Sequence, residues 1–579
     1  MALTLRWFAF AVSATTCLFG AWLFALLARA DGWTSLDGVR LVLSTLCLFW
    51  LTWGTMGGVL GLLPPRSART RPAPSPSGAS RTAVLMPIYH EDPRSTFARV
   101  AAMSARLSAL GAHEAIDIFI LSDSQSLDSA ARETLWFERL LADCAAREQI
   151  FYRRRPKNTG RKAGNIEDFI RHSGAAYDFA LVLDADSLME AETILEMVAR
   201  MESAPALGLL QSLPLIVHSR SAFGRALQFS ARLYSPVYAR GVARLQGREG
   251  PYWGHNAIFR VGAFAQSCGL PELSGRPPFG GQILSHDYVE AALLARAGYE
   301  VRLDPAIGGS FEEGPDNIVD FAKRDQRWCQ GNLQHSRVLF APELRLWNRV
   351  TLLQGIFNYL MPPVWLVLLL VSIAAADFSR RGRAGIAPDW AGWLLISFVV
   401  GILVLPKLLI AAAQIADGRA RRIANSSLLL ISGLAELILS TLTAPVVLMF
   451  QVRAVLRVLG GFDGGWPASN RADGKLSLSQ AWSSSWWIAC FGAAGLACVL
   501  LAGPELAAWS LPVALPMILA PLLIWLTSLP LPPGFVLWST PAVASPVLEE
   551  WRTIYARWAG DHPDIGAEFV PPEAANVLG

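Results

Sequence analysis

Phe179 to Leu188 reads F-A-L-V-L-D-A-D-S-L, an apolar run closed by two carboxylates one residue apart, Asp184 and Asp186. A short apolar run bounded by polar residues predicts a buried strand. A strand ending in Asp-x-Asp at the edge of an α/β sheet sets acidic oxygens where a hard divalent ion and a diphosphate can meet. The plainer alternatives are a cap for the helix expected near Ala191, or a turn. Carboxylate oxygens suit Mg²⁺ or Mn²⁺ better than zinc, and the histidines nearby are not spaced as a zinc set.

Strand and helix alternate around this run: Ala83–Met86, Ile116–Leu121, a helix from Lys162, then Ala180–Leu183. The alternation predicts a largely parallel sheet covered by helices, which binds ligands at the carboxyl ends of its strands. Pro87 is expected to stop the first strand, leaving Tyr89, His90 and Glu91 after it. Asp123 closes the second strand, where a carboxylate can accept hydrogen bonds from a base or ribose hydroxyl. Phe151–Asn165 (F-Y-R-R-R-P-K-N-T-G-R-K-A-G-N) is a basic run ahead of a helix. It reads either as a solvated face or, through the free N–H groups at the Lys162 helix start, as an anion site for a diphosphate. Gly254-His255-Asn256 is a turn leading into a strand. Near Ser285-His286-Asp287 a helix begins, with Ser285 or Asp287 as cap, or with Asp287 as a general base. Arg324–Asn332 (R-D-Q-R-W-C-Q-G-N) falls on a helix; Arg327 can counter phosphate charge and Trp328 offers a stacking face to a sugar ring.

The polar block is fenced by apolar segments. Of the 579 residues 53% are hydrophobic and only 17% charged, with mean hydropathy +0.36, too apolar for a soluble protein of this size. A net charge of +4 with no basic stripe excludes nucleic acid as a partner. Seven scattered cysteines form neither a zinc knuckle nor a disulfide framework and read as small buried hydrophobes. Leu5–Ala28 and Leu41–Leu63 are expected to span the bilayer. The alternative of a cleaved signal peptide, suggested by A-R-A at Ala28–Ala30, meets an apolar run that is too long. Arg66, Arg69 and Arg71 place the polar block after them in the cytoplasm.

Residues 64–80 read as a linker, 81–343 as the cytoplasmic α/β domain, 344–530 as a second membrane domain, and 531–579 as a cytoplasmic tail. Five further apolar runs bring the expected spans to seven. The Leu428–Phe450 run is flanked on both sides by arginines (Arg419, Arg421, Arg422; Arg453, Arg457, Arg471) and contains Glu436, which favours an interfacial or re-entrant segment over a plain span. Leu344–Leu353 is expected to be an amphipathic helix at the membrane surface. Within the cytoplasmic loop 452–485, Gly461–Lys475 reads as a plain loop or as a mobile gate.

Asp123, the Asp184-x-Asp186 pair, Asp287 and Arg327-Trp328 fall in the order of the family 2 inverting glycosyltransferases, which the chain resembles. Membrane-bound synthases of that class such as cellulose synthase carry Q-x-x-R-W, but Arg324 stands at the first position here, and Ser285-His286-Asp287 replaces T-E-D. The strings L-M-P-I-Y-H-E-D, K-A-G-N-I-E-D-F, G-H-N-A-I-F-R and Q-R-W-C-Q-G-N look most like the glucans biosynthesis glucosyltransferase H family. The likeness runs from about Ser80 to Ser545; the long N-terminal extension of larger members is expected to be missing.

The resemblance implies a GT-A type α/β domain inserted between transmembrane helices of the bacterial inner membrane, with the catalytic domain in the cytoplasm. It implies transfer of glucose from UDP-glucose to a growing β-1,2-glucan, the backbone of osmoregulated periplasmic glucans, with passage through the membrane. Partners would be UDP-glucose, the glucan chain, the lipid bilayer and periplasmic glucan-processing proteins. In these terms Asp123, Lys162, Tyr89 and Glu91 would serve the nucleotide, and Asp186, helped by Asp184, one Mg²⁺ or Mn²⁺. Asp287 would be the base, and Arg327, Trp328, Arg324, His255 and Asn256 would serve the acceptor and diphosphate. A synthase of another β-glucan (β-1,4 or β-1,3) and a transporter with a regulatory domain are the competing readings.

Overall fold

The computed structural model describes residues 2–30, 33–64, 78–380, 389–418, 425–464, 474–502, 506–532, 534–540 and 544–561. Most of the linker, the arginines at 66, 69, 71, 419, 421, 422 and 471, the middle of the Gly461–Lys475 loop and the end of the tail lie outside them.

Among the described residues eleven strands make two sheets. In chain order they are β1 (Thr82–Ile88), β2 (Ile116–Ser122), β3 (Ile150–Arg154), β4 (Phe179–Val182), β5 (Leu188–Met189) and β6 (Leu207–Gln211). Then come β7 (Leu215–Val217), β8 (Glu249–Gly250), β9 (Ala257–Arg260), β10 (Glu300–Leu303) and β11 (Ser310–Glu313). The larger sheet has the order β3-β2-β1-β4-β9-β6-β10-β8, and the smaller β5-β11-β7. All pairs of the larger sheet are parallel except those of β9, which runs against β4 and β6. Val84, Leu85 and Met86 are all buried, as expected of a central strand covered on both faces.

The first strand passes through Pro87 instead of stopping there. Its pairing with β4 ends at Leu85, so the missing N–H of Pro87 costs no ladder bond on that side. The strand β3 is not apparent from sequence because F-Y-R-R-R looks like a solvated basic run. It is an edge strand, and arginines on an edge discourage further pairing.

Helices cover both faces. The polar block contributes α3 (Pro93–Ala109), α4 (Leu127–Asp143), α5 (Arg161–Ser173), α6 (Ala191–Ser203), α7 (Ala222–Gln246), α8 (Val261–Ser267), α9 (His286–Arg296) and α10 (Ile318–Gln334), following α1 (Ala2–Ala30) and α2 (Ser35–Leu62). One core packs Phe97 and Met103 of α3 and Trp136 of α4 on Val84, Met86 and Ile118; the other packs Phe169 of α5 and Leu294 of α9 on Leu85, Val182 and Phe259. The remaining helices are α11 (Leu346–Arg380), α12 (Asp389–Ala416), α13 (Ser426–Leu459), α14 (Leu478–Ala502), α15 (Ala507–Ile518), α16 (Ala520–Ser528) and α17 (Pro546–Asp561).

Six described helices, α1, α2, α11, α12, α13 and α14, are long and apolar enough to cross a membrane; α15 and α16 would supply a seventh only as one span bent by 58°. The chain is a polytopic membrane protein. Glycines let α7 lie directly on α2: a Cβ at Gly61 would meet Val237 O at 1.9 Å, and one at Gly241 would meet Gly57 O at 1.8 Å. That crossing ties the membrane helices to the sheet.

Three expectations are corrected. Leu344–Leu353 is no separate surface helix; it leads into α11, and Leu344, Trp347 and Leu352 are covered by protein while Leu346 and Leu353 stay exposed, with Trp347 Nε1 donating to Gln246 Oε1 (2.8 Å) under the Arg6 guanidinium (4.0 Å). The Leu428 run does not turn back: α13 is one helix of 34 residues, which removes the re-entrant alternative. Glu436 is buried in it and paired with Lys407 of α12 at 3.0 Å, so no unpaired charge faces lipid. At its start Leu429 packs with Leu233 and Tyr234 of α7, and near its end Val455 and Val458 pack with Cys329 and Leu333 of α10. Finally, Cys490 and Cys498 are exposed on the outer surface of α14 rather than buried.

Candidate active site

The carboxyl ends of β1, β2 and β4 open into one cleft of about 2680 Å³ that continues to Asn358 and Tyr359 within α11 and to Gln451 and Arg457 near the end of α13. Asp123, Asp184, Asp186 and Asp287 line it, together with Tyr89, Glu91, Lys162, His255, Arg324, Arg327 and Trp328. Asn256 alone among the expected residues does not.

Asp184 and Asp186 leave β4 on a turn closed by the Ser187 N–H on Asp184 O (2.9 Å). Lys162, from the first turn of α5, bonds the Asp184 carboxylate and also donates to Gly254 O (2.8 Å). Burial pushes Asp184 upward, but the charges of Lys162 and His255 outweigh it and hold the carboxyl well below the usual carboxylate range. Lys162 therefore holds the Asp-x-Asp turn itself, and the turn is not a helix cap, since α6 starts later, after Glu190. Among the described residues no three His, Cys, Asp or Glu side chains converge as a closed metal cage. The donor set still fits Mg²⁺ or Mn²⁺, which keep waters and take one or two carboxylates with the phosphates of a substrate. Glu312 of β11 adds a third carboxylate nearby; burial raises it, against the charges of His255 and Arg324.

Asp287 lies in the first turn of α9. Neither expected cap operates, because Ser285 occupies the cap position without a side-chain bond. The Asp287 carboxylate faces the cleft beside Gly254, whose added Cβ would lie 3.6 Å from Oδ2. Behind it His286 and Glu290 form a 3.0 Å pair. Burial, with Glu290 adding to it against His286, raises Asp287 above the ordinary carboxylate range. Lys162 thus links the two halves of the site, through Asp184 on one side and the Gly254 carbonyl on the other.

Helix α10 lies against the start of α9 because Gly331 has no side chain: a Cβ there would meet Ser285 Oγ at 2.2 Å. Burial pushes His335 down to about 4, and the neutral ring bonds Ser285 O at 3.0 Å. Trp328 keeps 45% of its surface exposed in the cleft, with the Arg324 guanidinium 4.6 Å from its ring. Asp325, buried one residue on, accepts from Tyr359 of α11 (2.9 Å) and Gln451 of α13 (3.0 Å), which joins the helix to the membrane portion. Gln330 holds Asp463 (2.9 Å) and Gly464 (3.1 Å), and Asn317 holds Gly474 (2.9 Å), so both described ends of the Gly461–Lys475 loop are tied to α10.

The nucleotide side differs in detail. Asp123 is buried and gripped by both arms of Arg155 (2.7 and 2.8 Å), which also holds Thr159 O (3.1 Å) ahead of α5. Its oxygens keep lone pairs for a further donor, but its first task is to fix that loop. Arg155 is hidden in the triple arginine Arg153–Arg155; only its place at the end of β3 singles it out. Glu91 turns back to accept from the Tyr89 N–H, and the Tyr89 ring meets His90 at 4.5 Å. Asn256 is corrected outright: fully buried, it accepts from Ser187 (2.6 Å) and donates to Ser310 (2.7 Å), pinning the Asp-x-Asp turn to β11 instead of meeting acceptor or diphosphate. His255 bonds Asn256 (2.9 Å) and lies 3.7 Å from Glu312.

Models of glycosyl transferase family 2 match residues 83–267, and of glycosyl transferase family group 2 residues 179–410. A "Glucans biosynthesis glucosyltransferase H" of Cereibacter sphaeroides is 50% identical over 96% of this chain and 95% of its own. The chain belongs to the glucans biosynthesis glucosyltransferase H family. A glucosyltransferase H relative from Xylella fastidiosa is 40% identical over 88% of this chain and 83% of its own, and one from Bradyrhizobium diazoefficiens 38% over 90% and 70%. A fragment of S. aureus TarS, solved in complex with UDP-GlcNAc, overlays loosely, with TM-score 0.29 and 12% identity over 68% of this chain and 95% of that one. The polar block is thus a GT-A-like domain flanked by the apolar helices, and the chain is a glycosyltransferase.

Proposed function

We propose that this membrane glucosyltransferase transfers glucose from UDP-glucose, with inversion, to a growing β-1,2-glucan, the backbone of osmoregulated periplasmic glucans, and passes it across the bacterial inner membrane. Its catalytic domain would face the cytoplasm. The observation that carries the reading is one continuous cleft. It holds the Asp184–Asp186 turn, Asp287 and the Arg327-Trp328 helix, and it reaches Asn358 and Tyr359 of α11 and Gln451 of α13. The names of the relatives support glucose as the sugar and a glucan as the product.

Asp186, with Asp184, would hold a Mg²⁺ or Mn²⁺ whose positive charge offsets that of the departing diphosphate. Asp287 takes the proton of the acceptor hydroxyl as its oxygen bonds the anomeric carbon and the bond from that carbon to the UDP oxygen breaks on the opposite side. A raised carboxyl is the better base for this task, since it holds the proton more tightly once taken. Arg327 counters diphosphate charge, and Trp328 offers its exposed face to the acceptor sugar. Lys162 keeps the turn and the base in register.

The test is incubation of membranes carrying the protein with labelled UDP-glucose and Mg²⁺, followed by linkage analysis. A β-1,2-linked product that vanishes on chelation is expected. A β-1,4 or β-1,3 product overturns the linkage, and failure to consume any UDP-sugar overturns the enzymatic reading.

A further inference from the structure

The described residues after 530, expected as a tail, stay on the catalytic block. Leu531 N–H bonds Arg220 O (3.0 Å) and Gln228 bonds Thr540 (2.7 Å), which carries the chain along the start of α7. Ser545 then opens α17, taking the Leu548 N–H (3.3 Å) and donating to Glu190, whose other oxygen takes the Val547 N–H (3.3 Å). Glu190 thus serves the unsatisfied N–H groups and positive end of α17. It directly follows β5, the strand into which the Asp-x-Asp turn leads.

Along α17, Val547, Leu548, Trp551, Ile554 and Trp558 are buried in the core formed by β1, β2 and α3. The far end is held by buried Trp558, whose Nε1 donates to Asp143 (2.6 Å); the Arg557–Asp143 pair (3.0 Å), with Arg557 half exposed, adds little. Trp551, in the middle, is stacked between His218 (4.7 Å) and Tyr555 (5.5 Å), with the Arg99 guanidinium 5.2 Å from its ring. Buried Arg99 donates from Nη1 to Ala185 O (3.2 Å), the carbonyl between Asp184 and Asp186, and to Ser95 (2.9 Å), and it pairs with Glu313. A buried guanidinium keeps its place only while its donors and its ring contact are satisfied. The route from α17 to the turn is therefore one tryptophan and one arginine long.

We infer that α17 is a strap that positions the Asp184–Asp186 turn, with Trp551 as a positioning residue acting through Arg99 and Glu190 as a second anchor. The inference rests on the proposed function, in which that turn receives the donor diphosphate and its ion. Removing Trp551 frees Arg99 from one side, loosens the Ala185 carbonyl, and spoils the directions of the two flanking carboxylates. Small displacements of this kind weaken binding severely.

The experiment compares full-length wild type with Trp551→Ala, Trp551→Phe and Arg557→Ala in detergent. It measures UDP binding in the presence of Mn²⁺ by calorimetry, with no sugar or acceptor present, and separately KM and kcat for UDP-glucose. Trp551→Ala is expected to weaken UDP binding with Mn²⁺ about tenfold and to raise KM alike, with kcat changed less than about threefold. Trp551→Phe restores most of the binding, and Arg557→Ala, at the far end, leaves it at the wild-type value. Wild-type binding by Trp551→Ala overturns the inference, and so does an equal loss in Arg557→Ala. If Trp551→Ala does not fold, Ser545→Ala, which deletes only the hydroxyl bonded to Glu190, must weaken binding about threefold or more; an unchanged value overturns the strap. Should wild type bind UDP with Mn²⁺ yet leave UDP-glucose unconsumed while Trp551→Ala still loses binding, the strap stands and the donor assignment falls.

Discussion

In the proposed reaction Asp287 and Asp186 would divide the chemistry between them, and their surroundings make the division testable. Asp287→Asn keeps the shape but cannot take a proton, so transfer should fall by roughly 10²–10⁴-fold while UDP affinity stays near wild type; substantial turnover would remove Asp287 from the base role. Asp186→Ala should abolish activity that responds to Mg²⁺ or Mn²⁺, with a smaller loss in Asp184→Ala, whose partner Lys162 already competes for it; a normal metal titration in Asp186→Ala would sink the assignment. Because burial raises Asp287, the acidic limb of kcat/KM lies above the ordinary aspartate value of about 3.9. Activity is present above that raised value and lost as pH falls through it, and Asp287→Asn should abolish the limb along with the activity. The place of Asp184 and Asp186 just past a strand end was legible because an apolar run closed by carboxylates is a distinctive pattern. Asn256 shows the limit: a Gly-His-Asn turn reads alike whether the amide faces ligand or protein, and only its buried partners Ser187 and Ser310 decide.

At the scale of elements, two helices that are neighbours only in space bring Asp287 and Trp328 into one cleft. The contact of α10 with α9 depends on Gly331, so Gly331→Ala should force Ser285 aside. It should cost about 1–3 kcal/mol of stability as well as activity, readable as a lowered thermal midpoint in detergent. A second element pair lies in the membrane portion, where Lys407 and Glu436 join α12 to α13. Removing either partner leaves a buried charge and is expected to cost about 3–5 kcal/mol, whereas Lys407→Met with Glu436→Leu should recover most of it. A double variant as unstable as the single ones would show that the pair is not the source of the loss. The alternating strands and the long apolar helices were readable from period and length. Missed were the edge strand β3, whose arginines mimic a loop, and α17, whose link to the Asp184–Asp186 turn through Arg99 and Glu190 joins distant parts of the sequence and leaves no local signal.

Over the whole molecule the decisive question is how the catalytic block sits against the bilayer, and α13 answers for it. This helix is apolar and long enough to cross, yet its start packs on α7 and its end on α10, both elements of the catalytic block. A helix of 34 residues is roughly 50 Å long, more than the hydrocarbon core of about 30 Å, so an upright crossing would carry the two ends to opposite faces. A helix lying along the boundary keeps both ends on one face and lets Gln451 reach Asp325 at the floor of the cleft. It also agrees with the arginines on both flanks of the run. In a background with exposed Cys490 and Cys498 replaced, single cysteines at Ser426 and Leu459 should react with a membrane-impermeant thiol reagent from the same side, the cytoplasmic one, in sealed vesicles of known orientation. Labelling from opposite sides would make α13 a true span and overturn its placement along the boundary.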